Sequence, residues 1–312
     1  MNKEKRKSKI GGQALIEGIM MRGLDKVSMA VRLPNKKIDI ETWKVDSLIN
    51  PKWYRKIPII RGVVGMVSSL ILGYKCLMKS VEKATAEEQD EDEDDNTNNE
   101  SKTTSALVKI SGTVGTILSL VISIGLFMFI PALSIKSLGS IISLNQFSKS
   151  ILEGVLKIAI FIGYLSIVSL MPDIKRTFQY HGAEHKTISC YEADCELTVE
   201  NVKQFTRFHP RCGTSFLLIV LIISIIVFSV ITWDNLLIRV ILKFSLLPIV
   251  TGLSYEIIQL AGRHNNICTR IISAPGLWLQ RITTREPNED QIEVAIAAFN
   301  EVIPKNKEDD KW

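Results

Sequence analysis

Two long uncharged runs restrict this chain more than any other feature. Neither Ile110 to Ile135 nor Gly213 to Trp233 contains an Asp, Glu, Lys or Arg. Each is at least as long as the roughly 20 residues that a helix rising about 1.5 Å per residue needs to cross a hydrocarbon core of about 30 Å. Backbone groups in that core must be satisfied inside the segment, which selects helices. The expected fold is therefore an α-helical integral membrane protein with about four transmembrane helices. A hydrophobic content of 46% over 312 residues agrees with this, and the net charge of +5 is modest. No basic patch with interleaved aromatics is present, so nucleic acid is not an expected partner. The lipid bilayer is.

In chain order, residues 1–56 form an N-terminal cytoplasmic segment, basic at its start and without the apolar core of a signal peptide. Gly11, Gly12, Gly18 and Gly23 punctuate it, and glycines at that density let the backbone approach a ligand or another segment closely. The ending of a phosphate-binding loop is missing. Val27–Leu33 and Lys37–Trp43 alternate apolar and polar residues around Pro34-Asn35-Lys36, which predicts a β-hairpin. Ile57–Met78, within the segment 57–83, carries Arg61 and Lys75 near its ends and suits an interfacial or re-entrant helix. Residues 84–106, acidic and Asn-rich, are an expected disordered linker.

Four spans follow, at 107–130, 151–171, 215–232 and 236–261, as one pair within 107–171 and a second within 215–262. Glu153 and Lys157 are four apart and can pair on one helix. Glu256, Gln259 and Arg263 form a polar stripe on the last span, a place where function concentrates in membrane helices. The loop 172–214 and the tail 263–312 hold most of the basic residues near the spans. The positive-inside rule then puts both termini and that loop in the cytoplasm. In the tail, Pro275–Arg281 reads as an interfacial anchor, and Asn288-x-x-Gln291 opens an amphipathic helix through a capping box.

The loop 172–214 carries the chemistry. His181 and His185 are four apart, and on a helix they project from one face with Glu184 beside them. His-x-x-Glu-His is the inverted zinc-peptidase order, in which the histidines hold the metal and the Glu takes a proton from its water. Downstream, His209 and Cys212 supply an imidazole and a thiol three apart. Read as four ligands, the set is a closed structural zinc site; read as three with an open position, it is catalytic, with Glu256 another candidate to complete it. Imidazole, thiolate and carboxylate together favour zinc among divalent metals.

Several segments resemble the YqhQ family of bacterial membrane proteins, a family of unknown function described as predicted metal-dependent enzymes. They are Gly11 to Arg22, Arg61-Gly62-Val63-Val64, His181 to Lys186, His209 to Ser215, Tyr255-Glu256 and Pro275 to Gln280. The resemblance covers nearly the whole chain outside the acidic linker. It implies a bacterial cytoplasmic-membrane location and a metal site.

Three functions are compatible with these residues. The leading one is a metal-dependent hydrolase at the cytoplasmic membrane face acting on a peptide or lipid-linked substrate, with His181 and His185 as ligands and Glu184 as general base. The shell would be completed by His209, Cys212 or Glu256. The second is a non-enzymatic scaffold or assembly factor holding a structural zinc. The third is an ion or small-solute transporter lined by the Glu256 stripe.

Overall fold

The computed structural model describes residues 7–46, 48, 52–85, 114–115, 117–229, 236–263, 266–307 and 309–310. Nearly all of the expected linker, 86–106, lies outside them. The chain divides into two compact units: Met1–Glu87, Tyr164–Ile223 and Ser245–Trp312 form the first, Glu88–Gly163 and Ser224–Phe244 the second.

The first unit opens on a four-stranded antiparallel sheet, β1 (Gly11–Leu15), β2 (Gly18–Arg22), β3 (Lys26–Arg32) and β4 (Ile38–Lys44), in the order β1-β2-β3-β4. The expected hairpin is its β3–β4 half. The glycine-rich segment is its β1–β2 half. The middle strands are buried on both faces. Met20, Val27, Met29 and Val31 pack with Leu15 and Cys76 in one core, while Ile19, Met21 and Ala30 pack with Tyr180, Ala183 and Phe299 in another. A strand buried on both sides has no polar face to give it an alternating pattern.

Nine helices are described: α1 (Ile60–Thr85), α2 (Ile117–Ile141, with a π-helical turn at Gly125–Phe129), α3 (Gln146–Val168), α4 (Pro172–Glu192), α5 (Val199–Lys203), α6 (Gly213–Ser229), α7 (Leu236–Arg263), α8 (Ile267–Thr283) and α9 (Glu289–Asn300). Four helical stretches among the described residues are long and apolar enough to cross a membrane: Ile60–Thr85, Ile117–Ile141, Phe147–Val168 and Ile241–Ala261. That set differs from the expected one at three places. The span expected at 107–130 is found at Ile117–Ile141, and 107–113 and 116 lie outside the described residues. Helix α1 runs past Met78 to Thr85 and joins the set, because Lys75, Lys79 and Lys83 are spaced at one turn and leave the other faces apolar. Helix α6 is apolar but shorter than the other four.

Helix α1 packs its small residues inward. Gly62 meets Tyr255, and Gly73 meets the side chain of Gln13. Its C-terminal half is tied to the sheet by Lys79–Glu41 at 2.5 Å and Lys83–Glu41 at 2.6 Å, with Lys83 also on Asp39. The opposite stripe, Val67, Leu70, Ile71, Tyr74 and Met78, is exposed. On the other side of the sheet, α9 begins at the expected capping box, Asn288 with Gln291, and buries Ile292, Ala295 and Phe299.

In the second unit, Glu153 of α3 accepts from Lys157 at 2.8 Å and from Lys243 of α7. All three side chains are buried or nearly so.

Candidate metal centre

The stretch expected as a loop is mostly helix. Pro172 opens α4 at its first turn, where a missing N–H costs nothing, and 21 residues continue to Glu192. His181 and His185 therefore share a face. Gly182, between them, lets the helix lie against the backbone carbonyl of Arg285, where any Cβ would collide.

Each histidine is oriented through its Nδ1. His181 Nδ1 lies 2.8 Å from the carbonyl oxygen of Thr283, and His185 Nδ1 lies 2.6 Å from that of Arg207. A carbonyl oxygen only accepts, so in both rings Nδ1 donates and carries a proton. That leaves each Nε2 as the ligating atom. His181 Nε2 is 3.1 Å from Cys212 Sγ, and one ligand atom from each of His181, His185 and Cys212 lies within 4.8 Å of the others. Tethering the second ring nitrogen of a ligand histidine to a carbonyl is how metal sites fix tautomer and aim.

Cys212 sits just before α6. Its Sγ is 3.2 Å from Thr214 Oγ1 and accepts from the Thr214 N–H at 3.4 Å. Burial alone would raise the thiol pKa, but the neighbouring His181 and His185 hold it well below its ordinary value. Burial likewise opposes charge on His181, and the Cys212 sulfur outweighs it, raising the imidazole to about 9. The two opposite directions favour a proton shared between Cys212 Sγ and His181 Nε2, which a divalent cation bound there would displace.

Glu184 lies on the same helix, buried to 5% exposure. Burial raises its pKa, against the pull of His181 and His185, and the Gly12 N–H points at its carboxylate. Gly12 is where the glycine-rich strand is needed. A Cβ there would stand 3.0 Å from Glu184 Cδ and 2.7 Å from the Met20 carbonyl oxygen, a separation real side chains do not adopt. Glu17, held at φ 50° in the β1–β2 turn, accepts from Arg176 Nη2 at 2.6 Å, five residues before His181 on α4, and from Tyr180 O–H at 3.2 Å, the residue just before it. The strand pair and the histidine helix are therefore fastened on both sides of the centre.

Two expected ligands stand elsewhere. His209 is next to His185, with ring centroids 5.6 Å apart, but its Nε2 faces Glu192 at 3.5 Å, and Glu192 also takes Arg211 and the Ser8 N–H. Its backbone is clamped by Gln280, which accepts the His209 N–H at 2.8 Å and donates to the His209 carbonyl at 2.7 Å. Burial holds the His209 imidazole below its ordinary pKa. Glu256 is likewise occupied: Arg61 Nε donates to it at 2.7 Å with a second bond from Arg61 NH2, and the Ile59 N–H donates at 3.2 Å. Ile59 has a φ of 67°, so Glu256 braces a strained turn at the start of α1.

The carbonyls of Thr283 and Arg207 are main-chain groups with no sequence signature. Gln280 could have been suspected, since an amide near the end of an amphipathic helix is an uncommon choice for its buried side.

The class is a mainly helical protein with a four-stranded antiparallel sheet and a His, His, Cys cluster formed by α4 and the residue before α6. A family described as "Protein of unknown function (DUF1385)" matches residues 57–305. The chain is also 38% identical over 306 residues to "Uncharacterized protein YqhQ" of Bacillus subtilis (strain 168), covering 97% of this chain and 95% of that one. It belongs to this family, the one its sequence motifs resemble. No solved structure matches.

Proposed function

We propose that this chain is a metal-dependent hydrolase of the bacterial cytoplasmic membrane, acting at the cytoplasmic face on a peptide or lipid-linked substrate. The observation that carries the reading is the pair of carbonyl-tethered histidines whose free Nε2 atoms converge on Cys212. Three soft or borderline donors suit zinc, and three donors rather than four leave a position for substrate or water. A metal held there supplies a Lewis acid and a more acidic water. Glu184, on the same helix, would accept a proton from the attacking water and return it to the leaving group, while the water oxygen bonds to the scissile centre and the bond to the leaving group breaks. A carboxylate whose pKa is raised by burial is matched to that exchange. A closed four-ligand structural site would require His209 to leave Glu192 and Gln280 to release its backbone.

Topology supports the cytoplasmic face. The sheet and α4 touch through Glu17, Arg176 and Tyr180, so both lie on one side of the membrane and an even number of crossings separates them. Helices α2 and α3 supply two. Helix α1 then lies along the interface, its exposed stripe in lipid and its lysines on the sheet, despite its length. Helices α6 and α7 add two more crossings and return the chain to α8 and α9 on the site's own side. The basic loop and tail make that side cytoplasmic.

The decisive experiment is Glu184→Gln in detergent-purified protein screened against peptide and lipid-linked substrates. The reading requires that metal stays bound while turnover falls. Full turnover in that variant would remove Glu184 from the mechanism.

A further inference from the structure

The metal centre accounts for Glu184 and the His, His, Cys cluster but leaves a neighbouring cleft without a role. Lys9, Gly11, Gly12, Gln13 and Arg22 from the first two strands and the segment before them line a space of 220 Å³, closed on α1 by Ser69 and Leu72. Two of these side chains are cationic, and no acidic residue lines the space. Arg22 Nε is buried with no hydrogen-bond partner among the described residues. The acid whose field reaches Arg22 is Asp46, which already pairs with Lys52 at 3.3 Å and Arg55 at 3.7 Å. Lys9 Nζ meets a neutral acceptor, the Asp309 carbonyl, at 3.4 Å. A Cβ on Gly11 would meet no atom within 4 Å, so the floor of the cleft is open. Gly12 borders both the cleft and Glu184, which puts one residue of backbone between them.

Cationic, hydroxyl and amide donors converging from different elements fit a tetrahedral oxyanion better than a planar carboxylate, and a guanidinium fork is the strongest of these partners. We propose that this cleft binds the phosphate group of the substrate, a refinement that rests on the hydrolase reading and defines the substrate class as phosphate-bearing. Helix α1 indicates where the rest of such a molecule runs. Leu70, Ile71 and Tyr74, beside Ser69 and Leu72, are exposed and apolar, so an acyl or prenyl chain attached to the phosphate has a surface to follow.

The test is equilibrium binding by the full-length protein of two probes: inorganic phosphate, and phosphatidic acid diluted in phosphatidylcholine nanodiscs. Arg22→Gln should weaken binding of the preferred probe tenfold or more, with Arg22→Lys recovering part of it. Gly11→Leu, which fills the cleft without backbone strain, should do the same while metal content stays at the wild-type level. Exposed Lys37→Gln serves as the charge control. Tighter binding of phosphatidic acid than of inorganic phosphate would identify a lipid headgroup as the source, and equal binding a soluble phosphate ester. Binding of neither probe, or binding changed less than twofold by both Arg22→Gln and Gly11→Leu, would overturn the proposal. His181→Ala separates it from the parent reading: phosphate binding that survives loss of metal locates the anion in the cleft. Cleft-dependent binding in a wild-type protein that holds no metal would sink the hydrolase reading alone.

Discussion

Both compact units bury a cluster of ionisable groups, and the two clusters are built on opposite plans. In the second unit Glu153 lies between Lys157 and Lys243, so opposite charges satisfy one another. Burying such groups is expensive unless they are paired, and there one carboxylate partners both ammonium groups within the chain. In the first unit His181, His185 and Cys212 present three electron-pair donors to one another, each histidine already holding a backbone carbonyl through its other nitrogen. In the metal-free state only a proton shared between Cys212 and His181 offsets that convergence. A triad of opposite charges explains itself as structure, whereas a converging set of lone pairs could hold a cation.

The contrast can be tested from both ends. The largest effect expected is in the first unit: His181→Ala or Cys212→Ser should abolish stoichiometric metal binding, read by elemental analysis, whereas Glu153→Gln should leave it unchanged. Next, Glu184→Gln should reduce turnover by about 10²-fold or more, the usual contribution of a general base, at unchanged metal content. In the second unit, Glu153→Gln strands two buried ammonium groups and should destabilise the fold by roughly 3 kcal/mol in detergent unfolding, the scale for breaking a buried ion pair. The mildest effect is a titration. In metal-free protein the His181 ring should hold its proton up to about pH 9; in Cys212→Ser the cause is gone, burial remains, and titration should fall below 6.5 by imidazole NMR. The sign for stability follows. The His181 contribution, from a raised pKa, is fully present below about 6.5 and is lost as pH rises through about 9.

Much of the centre was legible because its spacing is local. His181, Glu184 and His185 belong together on any helix, and Cys212 was within reach of a second pattern. The partners of His209 and Glu256 were not legible for the same reason. A residue type can be a ligand, but sequence does not say which neighbour has claimed it. Here Glu192 and Arg61, distant in sequence, took them. The Arg61-Gly62 and Tyr255-Glu256 motifs turn out to be one contact, with Gly62 against Tyr255 and Arg61 on Glu256. The β3–β4 hairpin was legible because its outer strand, β4, alternates between exposed and half-buried positions. The β1–β2 pair was not, since β2 is buried along nearly its whole length and shows no alternation. The long apolar helices could be read from composition, but helix α1 could not be ranked by hydropathy alone, because its lysines anchor it to the sheet.

The most direct test of the central claim is metal content per chain, by elemental analysis of detergent-purified protein, for wild type, His181→Ala and Glu184→Gln. The account predicts one divalent metal, zinc, per chain in wild type and Glu184→Gln and none in His181→Ala. Metal-free wild-type protein, or metal that persists in His181→Ala and disappears in Glu184→Gln, would contradict it.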